Sequence, residues 1–186
     1  MYINKAKDRL AELHMLQKLK LIGCRQEDIQ RVEEKIGASL PLAYQEFLVW
    51  MGRVSQLFQG SDYSCLDILN LQPVATDLLE ENHEREVLPT DAFVFLMHQG
   101  YQFNFFRLSE GDDPPVYWYI EGQGYFKKTF DHFSEFLLDV VNGYAQLRQQ
   151  TNARIKATAQ KNPKTAERLT ELAKALDMYD DQAPEK

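Results

Sequence analysis

The sequence has few cysteines and histidines, and these shortages remove several classes of protein. Its two cysteines, Cys24 and Cys65, stand apart, without the CxxC spacing of zinc sites and redox motifs. The histidines show neither HxH nor HxxxH spacing; they are His14, His83, His98 and His132. We therefore predict no metal site.

Long apolar runs and nucleotide-binding motifs are also missing. No run approaches the roughly 18 apolar residues that cross a bilayer. GxGxxG, Walker A and GxSxG motifs are absent. His98 precedes a glycine in a predicted turn without a neighbouring Ser, Cys or Asp, so we interpret it as a polar turn residue. The sequence thus predicts no catalytic residue and no cofactor.

The start of the chain, MYINKAKDRLAELHML, lacks the apolar stretch and cleavage site of a signal peptide. Cys24 and Cys65 are interpreted as free thiols, with a disulfide as the less favoured alternative. Free thiols in an uncleaved chain predict a cytoplasmic protein.

The residues that are present describe one acidic globular chain. Its 186 residues suffice for a continuous core, and the 44% of hydrophobic residues is an ordinary value. The formal net charge is −7. Nucleic-acid binding relies on Lys and Arg that neutralise phosphates, so this charge argues against it and fits a basic protein partner.

Helices are predicted at the beginning of the chain. Leucines at helical spacing predict a helix over Tyr2–Ile22, and a second helix over about Gln26–Ile36 ends at Gly37. A third opens at Pro41, where a missing N–H costs nothing, and ends at Gly52.

Strands and further helices follow. The predicted elements are a strand at Ser64–Leu71, an acidic helix at Pro73–Glu86, strands at 92–97, Tyr101–Leu108, Val116–Ile120 and Tyr125–Phe130, a helix after Asp131, and helices at Tyr144–Lys161 and Thr165–Met178. The order predicts an α+β fold with a mostly antiparallel sheet of about four to six strands. The predicted boundaries are an α+β domain over 1–143, a helical extension over 144–178 and a frayed tail over 179–186.

The stretch GYQFNFF, from Gly100, matches part of the RNP1 pattern of RNA-recognition motifs. Such motifs begin with a strand, whereas this chain begins with helices. If the side chains alternated as in an RNP1 strand, Asn104 would be buried, whereas the opposite alternation leaves Asn104 facing water. We therefore predict that the aromatic residues are core. In that phasing Tyr101, Phe103 and Phe105 lie under the helices, and Gln102, Asn104 and Phe106 face water.

Two acidic clusters are candidate contacts for a partner. The first comprises Asp77, Glu80, Glu81, Glu84 and Glu86, and the second Glu110, Asp112 and Asp113. A solvated helix face is the simpler interpretation; a docking surface for a basic protein is the alternative, because opposite charges speed association. Strand alternation predicts a buried Trp118 and exposed Tyr117 and Tyr119, and tyrosine is frequent in protein interfaces.

The segment IQRVEEKIGASLPLAYQEFLVWMG, Ile29–Gly52, resembles the opening pattern of the SUKH superfamily, which contains the fungal cell-wall-synthesis regulator family and many bacterial immunity proteins. PPVYWY and TFDHFSEFLLDVV resemble its closing strand and helix. The similarity covers roughly Gln26–Asn142. The matching residues are Glu33, Gly37, Leu40, Pro41, Tyr44, Phe47 and Gly52. The chain departs from the pattern at Trp50, Met51 and Arg53, and in the helices added at both ends.

The resemblance implies helices packed on an antiparallel sheet and, in bacterial relatives, an immunity protein that binds and neutralises a toxin. Such a toxin often acts on nucleic acid and is then basic. An intracellular scaffold or regulatory module is the second hypothesis, in which the helix Thr165–Met178 docks on another protein or on a second copy. An enzyme is the third, supported only by His98 and scattered carboxylates.

Overall fold

The computed structural model describes residues 1–175, which form a compact unit, Met1–Leu138, and a second unit that begins at Asp139. Its helices are α1 (Asn4–Glu12), α2 (Gln26–Ile36), α3 (Leu42–Met51), α4 (Leu71–Glu81), α5 (Phe133–Lys161) and α6 (Pro163–Ala175). Its strands are β1 (Leu21–Ile22), β2 (Val54–Ser55), β3 (Ser61–Asp62), β4 (Ala92–His98), β5 (Gln102–Arg107), β6 (Val116–Ile120) and β7 (Lys127–Phe130). None of the described helices is both long and apolar enough to cross a membrane.

The α+β prediction is confirmed. Strands β3 to β7 lie in chain order in one antiparallel sheet, and β1 pairs with β2 in a small second sheet. The predicted α2 and α3 are observed, with Gly37 in the left-handed region at φ 68° and Pro41 before α3. Local signals suffice here because a cap and an apolar stripe define each helix.

The long first helix is a wrong prediction. Helix α1 ends at Glu12, the chain turns with His14 at φ 51°, and Leu21–Ile22 is a strand. The physical reason is a distant contact, since Leu21 and Ile22 pair with Ser55 and Val54. The next residue, Gly23, passes so close to α3 that a Cβ there would stand 1.7 Å from the Val49 carbonyl oxygen.

The predicted strand at Ser64–Leu71 is also wrong. The Ser64 carbonyl accepts from the Asp67 N–H at 2.9 Å, and the Ser64 hydroxyl accepts from the Leu66 N–H at 3.4 Å. These local bonds form turns, and Leu71 already begins α4. The side chains of Ser and Asp compete with strand ladders in this way.

Cys24 and Cys65 form a disulfide, so the free-thiol interpretation is wrong. Both residues are fixed at the end of α3, where the Cys24 N–H donates to the Leu48 carbonyl at 2.8 Å and the Cys65 N–H to the Gly52 carbonyl at 3.0 Å. The Cα atoms lie 6.5 Å apart, within reach of a disulfide. The two cysteines are 41 residues apart and are brought together by backbone contacts with α3, so their spacing in the sequence does not predict the disulfide.

Aromatic side chains cover both faces of the large sheet. On one face Phe106 packs with Tyr44 of α3 and Phe133 of α5, at ring-centre distances of 5.1 and 6.2 Å. On the other face Phe103 and Phe105 lie around Phe126, at 6.3 and 5.0 Å. We call these the helix face and the tyrosine face.

The aromatic residues of β5 are core, as predicted, but their assignment to faces was wrong. Phe103 and Phe105 are buried on the tyrosine face, away from α3, while Phe106 is fully buried on the helix face. Tyr101 and Asn104 are partly exposed. When a sheet is covered on both faces, both sets of alternating side chains along a strand are buried. The alternation therefore does not show which face the helices cover.

Strand β6 reverses another prediction. Tyr119 is only 1% exposed and Tyr117 and Trp118 are partly exposed, whereas exposed tyrosines and a buried Trp118 were predicted. The cause is the cover on the tyrosine face, where the Phe126 ring lies 6.1 Å from the Tyr119 ring and Glu84 accepts from the Tyr119 hydroxyl.

Helix α5 continues through Gly143, where a break was predicted. A single interior glycine costs a helix only about 1 kcal/mol, which the rest of this long helix offsets. The predicted restart at Asn162 is observed, since its side chain accepts from the Thr165 N–H at 3.2 Å and Pro163 begins α6. The predicted helix end at Met178 and the tail at 179–186 lie outside the described residues.

Candidate protein-binding site

The carboxylate–tyrosine site consists of Glu84, Glu86, Glu110, Tyr117 and Tyr119 on the tyrosine face. The Tyr119 hydroxyl donates to Glu84 Oε1 at 2.9 Å, and the Tyr117 hydroxyl donates to Glu110 Oε1 at 2.9 Å. Glu86 Oε2 accepts from the Phe126 N–H at 3.1 Å. Candidates from the acidic segment and from β6 therefore meet at one place.

Strand register positions the two tyrosines. Tyr117 and Tyr119 stand opposite Phe105 and Phe103 in the β5–β6 pair, so all four side chains share a face. The Tyr117 ring stacks on Phe105 at 5.1 Å with 19° between the planes. Fixed rings hold the hydroxyl groups at the edge of the aromatic layer, where the glutamates reach them.

Burial and the neighbouring carboxylates raise the pKa of both hydroxyl groups. Burial first, and then the bond to Glu84, raises the pKa of Tyr119. Burial followed by Glu110 raises the pKa of Tyr117, and Lys128 and Arg107 act against this rise. Both tyrosines are thus donors at neutral pH, and Glu84 and Glu110 accept from them.

Helix α4 presents the exposed part of the acidic cluster. Ala75, Leu78 and Leu79 are buried, so the opposite side of the helix faces water. The exposed carboxylates on α4 are Asp77, Glu80 and Glu81. They precede Glu84 and Glu86 along the chain, so one short segment carries all five candidates.

The second acidic cluster is divided. Glu110 belongs to the carboxylate–tyrosine site, but Asp113 accepts from the Ser134 N–H at 2.8 Å and from its hydroxyl at 2.6 Å, which caps the first turn of α5. The Asp112 carbonyl accepts from the Ala43 N–H at 2.9 Å, and its side chain is exposed. Asp113 therefore has a structural role, while Asp112 lies beside the start of α3.

His98 has a partner that the sequence did not indicate. Its Nδ1 lies 2.9 Å from the Ser61 hydroxyl, because the two residues are register partners in β3 and β4. Within residues 1–175 no carboxylate is hydrogen-bonded to the other ring nitrogen, so the group that orients the histidine of a catalytic triad has no counterpart there. No group of three His, Cys, Asp or Glu residues in this part of the chain could hold a metal.

The residues that match the SUKH pattern build the core and turns of the α2–α3 region. Glu33 Oε1 accepts from the Leu40 N–H at 2.8 Å and from Gln45 Nε2 at 3.2 Å, which fixes the connection between the helices. Tyr44 and Phe47 are buried beneath the sheet.

Fold and site together define an α+β domain whose antiparallel sheet carries helices on one face and glutamate-bound tyrosines on the other. The chain belongs to the SMI1 / KNR4 family (SUKH-1), whose family model matches residues 23–139. This confirms the SUKH resemblance. The family includes immunity proteins, is generally non-enzymatic and acts through protein interaction. Among curated proteins, none matches the chain.

Proposed function

We propose that this protein is a non-enzymatic immunity protein that binds and neutralises a basic toxin directed at nucleic acid. Its family supports the class of function, since immunity proteins are among its members. The net charge of −7 supports the kind of partner, because an enzyme that handles nucleic acid carries positive charge at its active site.

The observation that carries the proposal is the continuity of α4 with the carboxylate–tyrosine site. Exposed Asp77, Glu80 and Glu81 attract a basic surface over a distance and speed its association. Glu84 and Glu86 then place oriented carboxylates beside the aromatic layer. The exposed α4 carboxylates would first attract a basic toxin surface over a distance, and Glu84 and Glu86 would then accept hydrogen bonds from it.

Individual residues have different proposed roles. Tyr117 is partly exposed and is the aromatic contact, whereas Tyr119 is buried and orients Glu84. Asp112 is exposed and contributes charge, while Asp113 acts through the start of α5.

Co-expression tests the proposal. Each gene adjacent to the coding gene is expressed with and without this protein, and growth is measured. We expect one neighbour to arrest growth and this protein to restore it. Glu80→Lys with Glu81→Lys should abolish the rescue, whereas Glu167→Lys with Glu171→Lys, an equal charge change on exposed α6 positions, should retain it. Absence of rescue from every toxic neighbour contradicts the immunity function.

A cytoplasmic location is part of the proposal, since a toxin that attacks nucleic acid is met there. The disulfide is the contrary observation, because disulfides persist in oxidising compartments. Thiol labelling of acid-quenched, denatured cells tests the location, because both cysteines are buried in the folded protein. Labelled Cys24 and Cys65 are expected for a reduced cytoplasmic protein, and complete absence of label contradicts it.

A further inference from the structure

The α4–β4 loop, residues 82–91, lies against the tyrosine face and has few backbone bonds of its own. It contains neither a helix nor a strand. Its start is bonded to α4 through the Glu84 N–H, which donates to the Leu79 carbonyl at 3.0 Å, and its end is bonded to the residues after β5 through Asp91. Among the described residues, the backbone of 85–88 makes no hydrogen bond. The two ends of the loop are therefore fixed, and side chains hold its middle.

Two carboxylates attach the middle of this loop to the sheet. Glu84 Oε1 accepts from the Tyr119 hydroxyl at 2.9 Å, and Glu86 Oε2 accepts from the Phe126 N–H at 3.1 Å. At Gly124, which has φ 73°, a Cβ would stand 3.4 Å from Glu84 Oε2. The loop therefore lies directly on the turn between β6 and β7.

The aromatic layer beside this loop is buried. Tyr119, Phe103 and Phe105 are each only 1% exposed. The Phe126 ring packs beside all three, at ring-centre distances of 6.1, 6.3 and 5.0 Å respectively. Because Tyr119 and Phe126 are also the residues that donate to the loop, moving the loop away would expose the edge of this layer. Aromatic surface of this kind is what protein interfaces bury.

The donors that hold the loop are neutral. A tyrosine hydroxyl and a backbone N–H give one hydrogen bond each. An arginine guanidinium is charged and donates to both oxygens of a carboxylate at once, which makes its bond stronger. An arginine side chain that reached Glu84 or Glu86 would therefore displace the neutral donor.

We propose that the α4–β4 loop is a cover that arginine side chains of a basic partner release. The guanidinium groups bind Glu84 and Glu86, the loop moves away from the β6–β7 turn, and the rings of Tyr119 and Phe126 become part of the interface. The two bonds open together because one loop carries both glutamates. The basic partner is that of the proposed function, on which this inference rests.

Amide hydrogen exchange of the full chain, followed by NMR, tests whether the loop opens as one unit. Tyr119→Phe removes the hydroxyl that donates to Glu84 and keeps the ring. We expect the Phe126 N–H, whose own acceptor is Glu86, to exchange about tenfold faster in this variant, because the whole loop is then open more often.

Tyr117→Phe is the matched control. It removes the hydroxyl that donates to Glu110, which lies outside the loop, and should leave exchange of the Phe126 N–H unchanged. In both variants the Cys24 N–H, which donates to a carbonyl of α3, should exchange at the wild-type rate. An unchanged Cys24 N–H shows that the fold is intact.

A short peptide tests the release by arginine. The probe is a capped Gly-Arg-Gly-Arg-Gly peptide, and the comparison peptide carries citrulline, the uncharged isostere of arginine, at the same positions. We expect the arginine peptide to speed exchange of the Phe126 N–H about tenfold and the citrulline peptide to have no effect.

Three outcomes overturn the proposal. The first is wild-type exchange of the Phe126 N–H in Tyr119→Phe, since the two bonds would then open independently. The second is equal acceleration in Tyr119→Phe and Tyr117→Phe. The third is slower or unchanged exchange with the arginine peptide, since cations would then leave the loop closed. Because none of these measurements uses the toxin, their failure is distinct from an absence of growth rescue, which contradicts the immunity function.

Discussion

At the scale of residues, Tyr44 is the least expected side chain in the core. It is fully buried among rings that include Phe93, Phe106 and Phe133, and its hydroxyl has no hydrogen-bond partner among the described residues. Burial raises the pKa of this hydroxyl. An unsatisfied buried hydroxyl lowers the stability of the fold, while the ring itself raises it.

Removing only the hydroxyl should therefore be harmless to the fold. We expect Tyr44→Phe to raise the free energy of unfolding by about 1 kcal/mol, and Tyr44→Ala to lower it by about 3–5 kcal/mol through the cavity that it leaves. Urea denaturation measures both. A loss above about 1 kcal/mol in the Phe variant would show that the hydroxyl has a partner in solution.

Glu33 is the second residue with a specific prediction. Its Oε1 accepts the Leu40 N–H and the Gln45 amide between α2 and α3. Glu33→Ala leaves the Leu40 N–H unsatisfied and should cost about 1–2 kcal/mol, whereas Glu33→Gln keeps an acceptor and should cost less. Thermal and urea unfolding compare the two variants, and equal losses contradict this role.

At the scale of elements, Asp91 joins the ends of the β4–β5 hairpin. Its carboxylate accepts from Arg107 Nε at 2.9 Å, from the Ser109 N–H at 3.3 Å and from the Ser109 hydroxyl. The bond from the Ser109 hydroxyl, together with Arg107, lowers the pKa of Asp91 to about 2. The charged form is thus the one that the folded hairpin prefers.

The stability contributed by Asp91 should depend on pH. Because its folded pKa lies below the unfolded value of about 3.9, the contribution is present above about pH 4 and is lost as the pH falls towards 2. The side chain is 24% exposed, so we expect Asp91→Asn to cost only about 1 kcal/mol at pH 6. Urea unfolding at pH 6 and pH 2.5 checks this. A difference between wild type and variant that does not shrink at pH 2.5 contradicts it.

Elements defined by local signals were predictable, and elements defined by distant contacts were not. The helices α2 and α3 carry their own stripes and end signals, and the segment of β4 and β5 has apolar runs around a turn. Strand β1 forms because Leu21–Ile22 pairs with Val54–Ser55, which follows α3 in the chain. No pattern within Tyr2–Ile22 announces that partner, so helical spacing was misleading there.

The same distinction holds for the candidate site. The composition identified the acidic segment, and the predicted strand β6 identified the two tyrosines. The hydrogen bond from Tyr119 to Glu84 was not predictable, because it joins residues 35 apart in sequence. The sequence also could not separate Asp113, a cap for α5, from the exposed Asp112. Pairing across the fold decides which carboxylates are available to a partner.

At the scale of the whole molecule, the disulfide closes a loop between the β1–α2 connection and the segment before α4. In the chain-entropy model, closing a loop of this length stabilises the folded state by about 4 kcal/mol. We therefore expect Cys24→Ser with Cys65→Ser to lower the free energy of unfolding by about 2–4 kcal/mol. Urea unfolding with and without dithiothreitol measures it. Equal stability in both conditions, with two reactive thiols in the purified protein, contradicts the disulfide.

The central claim is that the acidic segment from α4 to Glu86 guides a basic partner onto the tyrosine face. Its most direct test is the association rate with the toxic neighbour that the proposed function expects, measured by stopped-flow fluorescence at low and high salt. For Glu80→Lys with Glu81→Lys we predict association about tenfold slower and less dependent on salt than for wild type, with Glu167→Lys and Glu171→Lys close to wild type. Equal association rates for wild type and the α4 variant would contradict the claim. If the α6 variant associated slowly and the α4 variant did not, binding would be assigned to the C-terminal helices instead.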